Sequence, residues 1–256
     1  MSELPKMDQV FGIIIIGAEL LSAKRKDKHF EHAVDALGAR GLSLSWCKII
    51  GDDKALIADT LRQSLPTQDS VFCFGGIGVT PDDLTRQAAA EAAGVALYRH
   101  PEAVAEMEAR YGADAYPRRV LMADLPETST IIPNPYNRIA GFSLGSHHFL
   151  PGFPVMAWPM MDWLLDTKYA DCRPQEFPTE AVLVVFDAVE GELLDVMNDF
   201  VQRFPQVRFS CLPEIGAQRR LELGVRGGSN HVVPAMGDLS QRLQALGYRI
   251  ELNSVK

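Results

Sequence analysis

The 256-residue chain lacks several features that would assign it to a protein class at once. Its four cysteines (Cys47, Cys73, Cys172 and Cys211) include no C-x-x-C pair, which argues against a structural zinc site and favours a reducing compartment. No basic segment followed by an apolar run opens the chain, and the longest apolar stretch, near 10–16, falls far short of the ~20 residues of a membrane span. We therefore expect a cytoplasmic protein with no signal peptide and no membrane partner.

Positive charge is also in short supply. Lysine and arginine total 25 against 33 aspartates and glutamates, which gives a net charge of −8. Because nucleic-acid binding depends on cations that neutralise phosphates, we expect no nucleic-acid partner. The hydrophobic fraction of 47% is that of a globular protein, and at roughly 150 residues per domain the length predicts one to two domains.

Short apolar runs alternate with amphipathic segments in the first half of the chain. Continuous β-branched and aromatic runs predict buried strands, and the intervening periodic segments predict helices. The predicted strands are 11–16, 44–50 and 71–74, and the predicted helices are 27–40, one starting at Asp52 or Asp53, and 81–93. This alternation predicts an α/β fold with a mostly parallel sheet and helices on both faces.

The pattern changes in the proline-rich middle and then restarts. Short strands are predicted near Ile131, Phe142 and 148–150, followed by a helix over 154–167. The polar segment 171–178 is the predicted linker. The predicted elements beyond it are strands at 181–186, 207–212, 219–225 and 248–252 and helices at 191–204 and 231–246. We therefore predict domains at 1–170 and 179–256, the second a small α+β unit.

The strongest motif is CFGGIGVTPDDLT, which runs from Cys73 to Thr85. Its glycines (Gly75, Gly76 and Gly78) end a buried strand and open a helix, where backbone N–H groups bind phosphates. It is neither a Walker A loop nor a G-x-G-x-x-G fingerprint. Capping alone explains Thr80, Pro81 and Asp83 equally well, but it does not explain the glycines. On the phosphate interpretation, Gly76→Val folds and loses its ligand.

Acidic residues follow the other predicted strands. Glu19 comes shortly after Gly17, Asp52 and Asp53 follow Gly51, and Asp82 lies in the glycine motif. A solvated glutamate and N-capping aspartates would account for each loop separately. Together, carboxylates beside a glycine loop favour a divalent metal that bridges an anionic ligand.

Three further features are open to two interpretations. His147 and His148 lie in a strand-like stretch and point to opposite faces, which argues against a shared metal. The Met- and Trp-rich segment 156–163 is typical of a core or a subunit interface, and we expect a homo-oligomer. The turn LPGFP (150–154) is either a plain turn or a ligand-facing loop.

The segments IGAELLS, GDDKALI, GGIGVTPDDLT and LPGFP resemble, in order and spacing, the MoaB/Mog molybdopterin-binding fold. The nearest branches are the N-terminal domain of CinA and the molybdopterin-binding-like domain of FAD synthase. The resemblance covers about 11–167 and implies a three-layer α/β/α domain. It implies a phosphorylated pterin such as molybdopterin, or a nucleotide, as the small-molecule ligand. Some members adenylylate molybdopterin with ATP and Mg²⁺, and others hydrolyse the pyrophosphate of ADP-ribose or FAD with a divalent metal.

The resemblance also implies roles for individual residues. Asp83 and Asp52 would be the catalytic and metal-holding carboxylates. The implied ligand-binding residues are Gly17, Glu19, Ser22, Gly75, Gly76, Gly78, Thr80, Asp82, Thr85, Pro151 and Gly152.

The chain departs from the CinA pattern at four places. Ala18 replaces an aspartate, Ala23 a glycine, Lys28-His29 the Thr-Asn of an Asp-Thr-Asn motif, and Val155-Met156 an acidic residue. The two missing carboxylates weigh against metal-dependent catalysis more than against ligand binding, so a non-catalytic binding module stays open beside the enzymes. No segment matches the CinA amidase domain, so we expect no nicotinamide-mononucleotide deamidation.

Overall fold

The computed structural model describes residues 9–214, 216 and 219–255. The chain forms two compact units that divide between Arg173 and Pro174. The outer limits of the predicted domains, residues 1 and 256, lie outside the described residues. Among the described residues, no helix is long and apolar enough to cross a membrane.

The first unit alternates strands with helices. Its elements, in chain order, are β1 Phe11–Ile16, α1 Ala18–Leu21, α2 His29–Gly38, β2 Leu44–Ile50, α3 Lys54–Ser64, β3 Ser70–Phe74, α4 Thr85–Ala93, β4 Leu97–Arg99, α5 Pro101–Tyr111, β5 Asp124–Pro126, β6 Thr130–Ile132, β7 Gly141–Leu144, β8 His147–Leu150 and α6 Pro154–Thr167.

Six strands form one sheet in the order β2-β1-β3-β8-β7-β6. The pairs β1–β2, β1–β3 and β3–β8 are parallel, whereas β7 is antiparallel to both β8 and β6. Strands β4 and β5 form a separate antiparallel pair. The carboxyl ends of β2, β1, β3 and β8 therefore meet at one edge of the sheet, which is where open α/β sheets bind ligands.

Helices cover both faces of this sheet. On one face Ile14 and Cys73 pack with α3, α4 and α5 through residues such as Ile57. On the other face Ile15 and Phe74 pack with α2 and α6 through Leu37, Met160 and their neighbours. Two cores on opposite sides of one sheet make three layers, so the predicted α/β/α fold with a mostly parallel sheet is confirmed.

The second unit is a two-layer α+β structure. Its elements are β9 Thr179–Phe186, α7 Glu190–Arg203, β10 Arg208–Glu214, β11 Arg220–Gly227, α8 Ser229–Ala245 and β12 Ile250–Val255. The sheet order is β10-β11-β9-β12 with every pair antiparallel. Helices α7 and α8 pack on one face of this sheet through Leu193, Phe200 and Leu239. The predicted β-α-β-β-α-β order is confirmed.

One expectation about local structure was wrong. The helix predicted from Pro81 begins at Thr85, so Thr80 is not its N-cap. Strands β4 and β5 and helix α5 were not predicted from the sequence. Cys47 is half-buried because β2 is an edge strand of the sheet.

Candidate functional site

Four loops converge where the parallel strands end. The Gly17 N–H donates to the Ile50 carbonyl at 3.0 Å, and the Gly75 N–H donates to the Leu150 carbonyl at 3.0 Å. These bonds continue the strand pairing one residue into the loops and hold the loops side by side. A β-carbon built on Gly152 would lie 3.4 Å from the Gly75 Cα, so the Pro151-Gly152 turn borders the glycine loop.

Each glycine of the motif has a packing reason to be glycine. Gly75 and Gly76 have φ of +106° and +69°, where L side chains are strained. A β-carbon on Gly75 would collide with the Ile16 carbonyl oxygen, one on Gly76 with the Thr85 hydroxyl, and one on Gly78 with the Asp83 carboxylate. Gly76→Val would strain the loop itself, so a loss of ligand in this variant would not separate contact with a phosphate from a change in the loop.

The loop's carbonyl groups are held from the side of α4. The Thr85 hydroxyl donates to the Gly75 carbonyl and the Thr85 N–H to the Gly76 carbonyl, both at 3.0 Å. The Arg86 guanidinium donates to the Gly78 carbonyl at 2.6 Å. Among the described residues, by contrast, no protein acceptor takes the N–H groups of 76–79. Consecutive free backbone N–H groups form an anion-binding concavity.

Arg86 was not identified from the sequence. It is 5% exposed, and it also donates to the carbonyls of Leu121 and Asp124 at 2.6 and 2.9 Å. Burial lowers the pKa of its guanidinium. Because its partners are 35 and 38 residues away in the chain, a single sequence carries no signal for this role.

Thr80, Asp82 and Asp83 form a turn in front of α4. The Asp83 carboxylate accepts the Thr80 N–H at 2.9 Å and the Thr80 hydroxyl at 2.5 Å. Asp83 is half-buried, whereas Thr80 and Asp82 are exposed. The threonine–aspartate pair anticipated as a helix cap therefore closes a turn, and its carboxylate lies beside Gly78.

The acidic loops after β1 and β2 contact each other. The Asp52 carboxylate accepts the Ala18 N–H at 3.0 Å, and the Ser22 hydroxyl donates to the Glu19 carbonyl at 3.3 Å. Asp53 caps α3 by accepting the Leu56 N–H. Within the described ranges, no group of three or more His, Cys, Asp and Glu side chains is arranged to hold a metal ion. A divalent metal here would need oxygen atoms of a ligand as well.

Two clefts flank the Gly152-Phe153 turn. The glycine-loop cleft has a volume of about 160 Å³. It is lined by Gly76, Ile77, Gly78, Asp83, Met122, Asn134, Asn137, Ile139, Pro151, Gly152, Phe153 and Met156. The two asparagines were not identified from the sequence, although PNPYN (133–137) has the composition of a turn. The Asn137 amide donates to the Met156 sulfur, a weak acceptor, at 3.2 Å.

The second cleft, which we name the cation cleft, has a volume of about 340 Å³. It is lined by Ile15, Ile16, Glu19, Leu20, Arg25, Lys26, Asp27, Lys28, His29, Phe74, Gly152, Phe153 and Pro154. Its cations were not identified from the sequence, although the run KRKDK (24–28) stands out in an acidic chain. Of the predicted residues, Glu19 and Gly152 line it, whereas Asp52 and Ser22 line neither cleft.

The histidine pair of β8 has no part in the site. His147 contacts the Ser64 hydroxyl at 2.9 Å, and His148 contacts Ser143 and Tyr169 at 2.8 and 2.6 Å. The two rings lie on opposite faces of the sheet, as predicted. Burial lowers the pKa of His147 to about 4 and that of His148 well below its usual range.

Comparison with known proteins places this geometry in a family. Residues 12–170 match the model of a family described as "Probable molybdopterin binding domain". The chain belongs to this family. The chain is similar to CinA-like proteins, and its family membership supports a ligand-binding role for the first unit.

Its relatives are CinA-like proteins. The one from Citrifermentans bemidjiense is 27% identical over 91% of this chain and 58% of its own length, and the one from Syntrophotalea carbinolica is 32% identical over 71% of this chain and 46% of its own. The chain thus spans about half the length of the curated relatives it matches. The crystal structure of CinA of unknown function from Thermoplasma acidophilum aligns with a TM-score of 0.57 and 25% identity, over 65% of this chain and 100% of that one.

Proposed function

We propose that the first unit binds a phosphorylated pterin or a nucleotide, with one phosphate held by the N–H groups of 76–79. The observation that carries the proposal is that the loop's carbonyl groups are hydrogen-bonded within the protein whereas these N–H groups, in the described part of the chain, are not. Thr85 and Arg86 hold the carbonyls, while the N–H groups keep no protein acceptor among the described residues. Backbone donors left free at the carboxyl edge of a parallel sheet favour an anionic ligand.

The glycine-loop cleft supplies the place for the ring of such a ligand. Apolar side chains such as Met122 and Ile139 give contact area. The Asn137 amide, which already donates to the Met156 sulfur and accepts the Ile139 N–H, keeps a second N–H and a second lone pair for a ligand. The Asn134 amide holds the Ile139 carbonyl at 2.9 Å and so shapes the loop. A mainly apolar cleft with a few polar groups is typical of a small-molecule site.

Whether the bound ligand reacts is a separate question. In the catalytic form of the proposal, Asp83, which lines the glycine-loop cleft, and Asp52, which lies in the neighbouring loop, would hold Mg²⁺ or another divalent metal together with the ligand's phosphates. The metal would neutralise charge and activate a water or a phosphoryl oxygen. Nucleotidyl transfer to a pterin and pyrophosphate hydrolysis of ADP-ribose or FAD both fit this arrangement. A non-catalytic binding module is the alternative, favoured by Ala18 and Met156 at positions where relatives carry acids.

One assay separates these forms. The full chain is incubated with ADP-ribose, with FAD, and with molybdopterin plus ATP, each with Mg²⁺, Mn²⁺ or Co²⁺, and AMP and pyrophosphate are followed. Turnover that Asp83→Asn abolishes supports catalysis. Calorimetric binding without turnover supports the binding module.

A second experiment tests the loop. Thr85→Val removes the hydroxyl that holds the Gly75 carbonyl, and we expect at least a tenfold loss of affinity for AMP and ADP-ribose. The matched control is Thr60→Val, since Thr60 is also buried and donates to the Leu56 carbonyl inside α3. Wild-type protein that binds none of the ligands, or a Thr85→Val variant that binds as well as Thr60→Val, would overturn the proposal.

A further inference from the structure

The cation cleft lies beside the glycine-loop cleft, with Gly152 and Phe153 lining both. Arg25, Lys26 and Lys28 bring three positive charges to it, against the two carboxylates of Glu19 and Asp27. A concave surface with an excess of one charge concentrates ligands of the opposite charge.

The three cations have no protein partner in the described part of the chain. No carboxylate there lies within ion-pair distance of Arg25, Lys26 or Lys28, although other basic residues such as Arg40 and Arg62 are ion-paired. The Asp27 carboxylate is already engaged, because it accepts the N–H groups of His29 and Phe30 at 3.0 and 2.9 Å at the start of α2. The cleft's positive charge is therefore available to a ligand.

His29 provides a second, independent observation. Its side chain is 5% exposed, lines the cation cleft and stacks on Phe74 at 4.4 Å between ring centroids. Its Nε2 lies 3.1 Å from the Gly152 carbonyl oxygen. Because a carbonyl only accepts, Nε2 carries a proton, and burial lowers the pKa of the ring. Among the described residues, the buried Nδ1 atom is then an acceptor with no protein donor. A buried polar atom of this kind needs a partner such as an ordered water or an ion.

We propose that the cation cleft is a second anion subsite, which holds the outer phosphate of a diphosphate-containing ligand without a divalent metal. The inference rests on the proposed function for the inner phosphate, which the glycine loop takes. Arg25, Lys26 and Lys28 neutralise the outer phosphate, and the His29 ring forms part of the cleft wall.

Calorimetry on the full chain tests the inference with ADP, AMP and inorganic pyrophosphate, each in EDTA and in Mg²⁺. The test variant is R25Q/K26Q. The matched control is K24Q/R118Q, which removes the same two charges from exposed residues that line neither cleft. In EDTA we expect R25Q/K26Q to lose at least tenfold in affinity for ADP and pyrophosphate and less than threefold for AMP. The control should stay within twofold of wild type for all three.

The outcomes separate the inference from the proposed function. Three results would overturn the second subsite. Pyrophosphate and ADP could bind wild type only with Mg²⁺, they could fail to bind at all, or they could bind R25Q/K26Q as well as K24Q/R118Q. The proposed function is judged on AMP and ADP-ribose and on Thr85→Val. If pyrophosphate binding depends on the cations but no nucleotide or pterin binds, the anion subsite is supported and the proposed function is rejected.

Discussion

The two units of this chain build their sheets in different ways, and the difference accounts for where the candidate site lies. In the first unit β1 and β3 are buried along their whole length. In the second unit β10 alternates between half-buried and exposed residues, because helices cover one face of its sheet. A parallel sheet needs helical crossovers, and these bring the loops after several strands to one edge. In the second unit every strand is antiparallel to its neighbours in the sheet, so the carboxyl ends of adjacent strands lie at opposite edges.

The largest effect on stability is expected for two neighbouring residues of β1. Ile14 and Ile15 face different cores, so Ile14→Ala and Ile15→Ala should each lower the free energy of unfolding by about 2–5 kcal/mol. In β11, Leu223→Ala should lower the free energy of unfolding by a similar amount. Substitution of its exposed neighbour, Glu222→Ala, should change the free energy of unfolding by less than about 0.5 kcal/mol.

Urea unfolding measures these changes. All three tryptophans, Trp46, Trp158 and Trp163, lie in the first unit, so their fluorescence follows that unit and far-UV circular dichroism follows both. If either isoleucine variant loses as little free energy of unfolding as Glu222→Ala, β1 is not buried on both faces.

A second test uses pH. His147 is 1% exposed, and its pKa falls from 6.5 in the unfolded chain to about 4 in the fold. Above pH 6.5 both states are neutral and the stability is complete. Between pH 6.5 and 4 only the unfolded state takes up the proton. The free energy of unfolding therefore decreases by up to about 3 kcal/mol as the pH is lowered from 6.5 to 4.

The matched variants for this test come from the two units. His147→Gln should flatten the decline in stability from pH 6.5 to 4, and His231→Gln, at an exposed residue of the second unit, should leave it unchanged. His148 acts in the same direction, so part of the decline persists in His147→Gln. An unchanged slope in His147→Gln would contradict the burial of an uncharged ring.

The sequence predicted the main strands well because their burial is encoded locally. Runs such as FGIIII show two-sided burial, and the alternation in the second unit shows one-sided burial. The segment from β4 to β5 was missed because its apolar pattern is weak: α5 fully buries only Ala103 and Met107. The start of α4 was misplaced because Thr80 and Pro81 fit a helix cap locally, whereas the actual start depends on Gly76 packing against Thr85.

The candidate site was predicted in part. The glycine loop, Asp83 and the Pro151-Gly152 turn do meet at one cleft, since all of them follow neighbouring parallel strands. Arg86 could not be predicted, because its role depends on carbonyls distant in the chain. The cations of the second cleft could have been noted from composition, but only the turn of the chain after α1 shows that they face a cleft.

A smaller test compares two non-glycine residues in the left-handed region, one in each unit. Ala23 has φ +55° and Asp187 has φ +58°. Ala23→Gly relieves a strain of roughly 1–2 kcal/mol, offset by the larger entropy of the unfolded glycine, so we expect a net gain in stability of about 0.5–1 kcal/mol. Asp187→Gly should gain less, because aspartate tolerates this conformation better than alanine does and because the substitution can also remove an interaction that Asp187 makes. Fluorescence-detected urea unfolding checks the first variant and circular dichroism the second, and a destabilised Ala23→Gly would contradict the assigned strain.

The smallest effect expected is that of ion pairs between helices. Arg203 of α7 contacts Asp238 of α8 through both terminal nitrogens, at 2.9 and 2.8 Å, whereas Arg62 of α3 reaches Glu91 of α4 through one, at 2.7 Å. Exposed ion pairs contribute little to stability, and an arginine that makes two parallel contacts binds its carboxylate more strongly than one that makes a single contact. Double-mutant cycles with alanine should therefore give a larger coupling energy for Arg203–Asp238 than for Arg62–Glu91, and both should shrink between 0.05 and about 1 M salt. Equal coupling energies would mean that solvent exposure, rather than the number of contacts, sets the strength of these ion pairs. Coupling energies that do not respond to salt would mean that each pair of helices is held by packing of the arginine stem rather than by charge.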